Sequence, residues 1–106
     1  MRIITERKLR EFWLAVRGNE RATRERVIKE WMSVVKKANW DIFSDIRATF
    51  NHADVCGNCV IFDVGGNKYR IIGKVGYRVK LVFIRFVMTH KEYDENKWKS
   101  DCKGCE

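Results

Sequence analysis

The sequence predicts an α+β domain: two N-terminal amphipathic helices packed on an antiparallel sheet, in the order βααβββ. Three observations carry this expectation. Apolar residues recur with helical period as far as about Asn39. From Val55 onward they gather into runs rich in Val, Ile and Phe. Short Gly- and Asn-bearing breaks separate those runs, too short for anything but tight turns. The 106 residues suit one domain, 1–106, with a polar tail over 95–106.

Met1 to Ile4 has the length of an edge strand. Leu9, Phe12, Trp13 and Val16 then fall at i, i+3, i+4 and i+7, which puts them on one helix face. Thr5 is a candidate N-cap with Glu6 beside the positive helix end, and Gly18-Asn19 reads as the stop. A second helix reads from Thr23, with Val27, Ile28, Trp31, Val34, Val35 and Ala38 as its stripe. The link from Asn19 to Ala22 favours an antiparallel helix pair. Trp40 to Asp54 is rich in turn formers (Asp41, Ser44, Asp45, Asn51, Asp54) and reads as a connecting loop. Three strands follow, at Val60–Val64, Tyr69–Val75 and Leu81–Met88, joined by Gly65-Gly66-Asn67 and by Gly76–Lys80. Trp13, Trp31 and Trp40 stand beside Val and Leu and are expected in the core rather than as base-stacking groups.

No apolar run approaches the ~20 residues of a membrane span. Met1 to Arg10 holds no apolar signal-peptide segment, so a cytoplasmic location is expected. Twenty-two Lys and Arg against fourteen Asp and Glu give a net charge of +8, which favours a polyanionic partner, nucleic acid first. Plain solubility explains the same excess less specifically.

Ile61 to Ile72 (Ile-Phe-Asp-Val-Gly-Gly-Asn-Lys-Tyr-Arg-Ile-Ile), followed by Val82 to Asp94 with its closing Thr89-His90-Lys91-Glu92-Tyr93-Asp94, resembles the HigB family of bacterial toxins in the RelE-like superfamily. The resemblance covers residues 40 to 94 in sequence and the helical half by architecture. It implies a RelE-like fold and a ribosome-dependent endoribonuclease that cuts mRNA and is silenced by a HigA-type helix-turn-helix antitoxin. The cysteines at 56 and 59 and the polar tail ending in a second Cys pair depart from the family pattern.

Cleaving RNA by attack of its own 2′-hydroxyl needs a proton acceptor, a proton donor and cations for the charge that builds on phosphate. No metal cofactor is required for that step. Arg70 and Arg85 lie on neighbouring predicted strands and are candidates to converge on one phosphate, which the guanidinium fork binds in pairs. His90 titrates near neutrality in its unperturbed state. Lys91 and Tyr93 stand beside it, and Tyr93 has the means to stack or donate. Lys68 and Lys74 add positive potential for RNA binding. With the resemblance, Arg70, His90, Tyr93, Arg85 and Lys91 form the candidate catalytic set. Without it, Arg70, Lys74 and Arg85 read as solvated sheet residues, His90 as a strand-end cap and Tyr93 as a packing aromatic. Thr89 and Glu92 read as turn or capping groups, and His52 as a surface histidine.

All four cysteines fall into two Cys-x-x-Cys units, Cys56–Cys59 and Cys102–Cys105. Three readings compete: a structural Cys₄ zinc clipping the tail, a redox-labile set, and incidental thiols. Zinc stands first among them, because Cys-x-x-Cys is the spacing that lets two thiolates chelate one ion. Such a closed site would stabilise and not catalyse. The rival functional class is a non-catalytic, zinc-stabilised RNA- or DNA-binding module. A degenerate toxin that only partners an antitoxin is the third.

Overall fold

Residues 1–105 are described by the computed structural model. Its elements run β1 (Arg2–Ile4), α1 (Glu6–Leu14), α2 (Gly18–Lys37), α3 (Phe43–Thr49), β2 (Asp54–Cys56), β3 (Cys59–Val64), β4 (Tyr69–Gly76), β5 (Leu81–Thr89) and α4 (His90–Asp94), then a 3₁₀ turn (Lys97–Asp101). The architecture is α+β, as expected, with more elements than the periodicity showed.

The five strands form one sheet in the order β1-β5-β4-β3-β2. β2 to β5 are antiparallel neighbours, whereas β1 lies parallel to β5, with Ile3 opposite Val82. The sheet is therefore mixed, which corrects the fully antiparallel expectation. The helices carry the chain from β1 at one edge to β2 at the other, and the three reversals from β2 to β5 bring the last strand back alongside β1 in the same direction.

Helix α2 begins at Gly18, not Thr23. Gly18 takes φ +62° and turns the chain directly into the new helix. The side chains of α2 satisfy the open carbonyls that end α1. Arg21 donates to Val16 O (2.7 Å) and Leu14 O (3.0 Å), and Arg24 donates to Phe12 O (2.9 Å). Val34, expected in the buried stripe, is 41% exposed.

The expected loop over 40–54 contains α3 and β2. Asp45, read as a turn former, caps α3: its carboxylate accepts the backbone N–H groups of Asp41 (2.9 Å) and Ile42 (3.2 Å). With only Ile46 fully buried, this seven-residue helix is too short to show a period. β2 pairs with β3 through a tight Gly57-Asn58 turn, with Cys56 opposite Cys59.

One face of the sheet packs on the helices. Leu9, Trp13, Ile28, Trp31, Val35, Trp40 and Ile46 meet Phe62, Ile71, Val82 and Ile84 in the main core. Phe62, fully buried, lies edge-on to Trp31 (centroids 5.1 Å) and to Phe50 (5.6 Å) and stacks on Trp40 (6.1 Å). The three tryptophans are core, as expected. Tyr69 ties β4 to α2: its hydroxyl donates to Glu20, which Arg24 also grips at 2.9 Å. The Tyr69 hydroxyl and then Arg24 hold the Glu20 carboxyl below its ordinary value, while burial and Glu20 push Tyr69 up.

The opposite face carries a smaller cluster. Ile61 and Ile72 pack there with Cys59, Trp98, Cys102 and Cys105, flanked by Phe86, Met88 and Tyr93. The C-terminal tail is thus part of the fold.

Candidate functional site

The end of β5 and the start of β4 lie side by side, with Tyr69 opposite Thr89 and Arg70 opposite Met88. α4 begins directly beyond this rung. Thr89 and Glu92 close a reciprocal cap: Glu92 N–H donates to Thr89 Oγ1 (3.2 Å), and Thr89 N–H donates to Glu92 Oε1 (2.9 Å). The backbone N–H of His90 donates to Lys68 O (3.0 Å), which pins the helix start to the β3–β4 turn. His90 and Tyr93, three positions apart, consequently stand on neighbouring parts of one short helix surface. The capping role read for Thr89 and Glu92 is what positions both.

Arg70 is buried, at 8% exposure. Its guanidinium donates to Asp63 Oδ1 (3.3 Å), to Asn67 Oδ1 (2.5 Å) and to the carbonyls of Asn67 (3.3 Å) and Tyr69 (3.1 Å). Asp63 sits opposite Arg70 in the β3–β4 register and also accepts Asn67 N–H (3.0 Å). Asn67, at φ +74°, completes the turn around the guanidinium. Asp63 escaped the sequence reading, and Asn67 was read there only as a turn residue. The signal was their place at the two ends of the Asp63–Asn67 turn that Arg70 closes.

Arg70 also lies 5.0 Å from the centre of the Tyr93 ring, a cation–π contact. Tyr93 stacks on Trp98 with centroids 5.1 Å apart and planes 9° from parallel. Burial raises the Tyr93 hydroxyl above its ordinary value while the Arg70 charge pulls the other way, so this phenol stays protonated and can donate at neutral pH. The His90 side chain is 42% exposed. Its Nδ1 is enclosed, 3.1 Å from Asp94 Oδ2, without the alignment of a hydrogen bond. Lys91 is exposed on the same helix.

Arg85 is set apart from this group. The β4–β5 register passes from Ile72–Phe86 to Gly73–Ile84, so Arg85 is the extra residue of a bulge. About 10 Å of strand separates it from Met88, the partner of Arg70. Its guanidinium holds Asp101 of the tail in a fork, Nε to Oδ2 at 2.7 Å and Nη2 to Oδ1 at 2.9 Å. Lys74 reaches the same carboxylate at 4.0 Å. Arg85 holds the Asp101 carboxyl below the usual aspartate range, with Lys74 and Lys8 adding to the effect. Arg70 and Arg85 therefore have separate anchors. A phosphate bound by Arg85 would take the place of Asp101.

Lys68 lines a groove of about 390 Å³ between α2 and the β3–β4 turn, with Arg26, Glu30, Val34 and Asp63. It faces the helix side of that turn. A second groove, of about 290 Å³, runs between Phe86 and Met88 of β5 and Trp98 of the tail. His52, exposed, borders a shallow depression with Asp63, Gly66 and Asn67. The structure thus gathers Arg70, Tyr93 and His90 at one end of the sheet, and Arg85 and Lys74 around Asp101. The four cysteines meet on the same sheet face, paired crosswise as Cys56–Cys105 and Cys59–Cys102.

Residues 24–96 match the model of the HigB toxin family, described as the RelE-like toxic component of a toxin–antitoxin system. This chain belongs to the HigB toxin family. Over 34 residues it is 50% identical to the mRNA interferase toxin HigB of Escherichia coli K12, covering 32% of this chain and 33% of that relative. The mRNA interferases HigB of Escherichia coli O157:H7 and Shigella flexneri match over the same lengths at the same identity. The aligned stretch thus spans about a third of the curated relatives. The HigB match includes Asp63, Arg70, Arg85, His90 and Tyr93 and stops at residue 96, short of Trp98, Asp101 and the second cysteine pair.

Proposed function

We propose that this HigB-family chain is an endoribonuclease that cuts mRNA in the translating ribosome and thereby stops translation. The observation that carries the reading is the grouping of Arg70, Tyr93 and His90 at one sheet end, inside the segment matched by the family model. In the proposed step the RNA 2′-hydroxyl attacks the adjacent phosphorus and the bond to the 5′-oxygen breaks, leaving a cyclic phosphate and a free 5′-hydroxyl. His90, partly exposed, takes the proton released by the 2′-hydroxyl, and the protonated Tyr93 hydroxyl gives one to the leaving 5′-oxygen, with solvent restoring both groups afterwards. Arg70 supplies fixed positive charge from a pre-ordered setting. Lys91, Lys68 and Lys74 draw the backbone in, and Arg85 takes a phosphate once Asp101 withdraws. The chemistry draws on side chains and needs no cofactor.

The family match implies an antitoxin as partner, and the family resemblance makes it one of the HigA helix-turn-helix type. The net charge of +8 favours acidic groups on its contact surface. With mRNA on the ribosome as substrate, the site of action is the cytoplasm. No helix among the described residues is long and apolar enough to cross a membrane.

Inducible expression in a bacterium, with primer extension on an abundant message, tests the proposal. His90→Ala should lower cleavage by about 10²–10⁴-fold, the usual contribution of a positioned acid or base. Its melting temperature should stay close to the parent's, because the ring is partly exposed. Arg70→Ala should lower both cleavage and stability, since it strands Asp63 beside an emptied site. Normal cleavage by His90→Ala would overturn the site. RNA binding with no cleavage by the parent chain would favour the non-catalytic module.

A further inference from the structure

The two Cys-x-x-Cys units meet although most of the sheet separates them in sequence. Cys56 and Cys59 flank the Gly57-Asn58 turn, and Cys102 and Cys105 follow the 3₁₀ turn of the tail. The two turns interlock through their backbones. Asn58 N–H of the first turn donates to Lys103 O of the second (3.0 Å), and the second is itself closed by Cys105 N–H donating to Cys102 O (2.9 Å). A Cβ on Gly57 would collide with the Lys103 carbonyl and lie 2.7 Å from Cys105 N. Gly57 and Gly104 take φ of +59° and +91°. Cys59, Cys102 and Cys105 are at most 2% exposed. The Cα atoms of the crosswise pairs lie 4.9 and 5.4 Å apart, so four sulfurs gather at one point.

As crosslinks, the two pairs duplicate each other. Cys56–Cys105 alone bridges a separation of 49 residues. Once it is made, Cys59–Cys102 closes only the small ring of the two turns and restricts the unfolded chain little further. As ligands, all four are needed, since tetrahedral zinc is complete at four thiolates and each Cys-x-x-Cys supplies two. Lys103 lies within the second unit and the chain carries +8, which offsets the double negative charge of a zinc–tetrathiolate centre.

We propose that the reduced chain binds one zinc ion through Cys56, Cys59, Cys102 and Cys105. Four thiols lose four protons to the solvent and no electron moves. With the sulfurs paired crosswise, no cluster of three or more donors is open to a metal among the described residues, so zinc and the disulfides are exclusive states of one site. The closed tetrahedron admits no water and serves to fasten the tail, setting Trp98 on Tyr93 and Asp101 on Arg85. This inference does not depend on the ribonuclease reading, because its test reads metal and thiols.

The test is metal analysis of the full chain purified under reductant from zinc-supplemented cells. About one equivalent of zinc is expected, with four thiols titrating only after chelation and denaturation. Cobalt(II) in its place should give the visible bands of a tetrahedral thiolate site. Replacing both Cys102→Ser and Cys105→Ser should abolish metal binding while circular dichroism retains the helices, and Gly57→Ala should weaken binding by forcing the two turns apart. Lys36→Ala, on the outer face of α2, should keep the full equivalent. Zinc-free protein, whether with two disulfides by peptide mapping or with four freely titrating thiols, overturns the proposal.

Discussion

The two faces of the sheet are closed by different physics. The helix face is sealed by continuous apolar packing, from Leu9 and Ile28 through Phe62 to Val82, with three tryptophans filling the layer. The opposite face is covered by a few residues of tail: Trp98 against Tyr93, Asp101 in the fork of Arg85, and the cysteine pairs. Apolar packing is non-directional and scales with area, so the first face fixes the fold. The second relies on directional contacts and leaves the His90 end of the sheet open. One face therefore sets stability, and the other holds the candidate chemistry within reach of solvent.

Breaking the helix face should have the largest effect. Phe62→Ala removes a fully buried ring in contact with Trp31, Trp40 and Phe50 and should cost about 3–5 kcal/mol in denaturant unfolding. Truncation after Asn96 removes Trp98, Asp101 and two cysteines at once. Its cost should be smaller, about 1–3 kcal/mol, with a single cooperative transition retained, because the helix core is untouched. Loss of the whole transition on truncation would show that the tail is integral to the main core.

The smallest effect on folding belongs to Asp101→Asn. Arg85 and Asp101 are solvent-accessible, so breaking their pair should barely move the unfolding midpoint. It should instead free Arg85 for phosphate, raising RNA affinity and steepening its logarithmic salt dependence by about one. Unchanged salt dependence in a filter-binding series would show that Arg85 does not reach RNA. Protonation makes the same break in the native chain. Since the folded-state pKa of Asp101 lies below its ordinary value, the contribution of the pair is present above the unfolded pKa and is lost as pH falls through the folded one. Tail docking, followed by Trp98 fluorescence in a chain whose other tryptophans are retained as a constant background, should be flat near neutrality and weaken only below about pH 4.

Regular patterns made much of the helix face legible. Leu9 and Trp13 sit one turn apart, and Val27, Ile28, Trp31 and Val35 repeat with helical period, so their stripe could be read before any contact was known. The meander was equally plain, because Gly65-Gly66-Asn67 leaves room only for a hairpin. α3 stayed hidden because one buried residue, Ile46, defines no period, and because Asp45 serves a cap and a turn alike. The parallel docking of β1 was also invisible, since a three-residue strand carries no sign of its partner's direction.

The sequence by itself determined the α+β class, the helix pair, the three long strands, the basic surface and the two cysteine units, all of which are local or compositional properties. Its family motif named Arg70, His90 and Tyr93. Only the tertiary structure decided that Arg70 is buried against Asp63 and Asn67, that a bulge sets Arg85 apart, and that Asp101 holds Arg85 while Trp98 stacks on Tyr93. Those contacts join residues that no period or spacing relates. The Arg70 contacts and the bulge follow from how β3, β4 and β5 register, and those of Asp101 and Trp98 form because the tail folds back over the free sheet face, a decision made by the shape and charge of the whole chain.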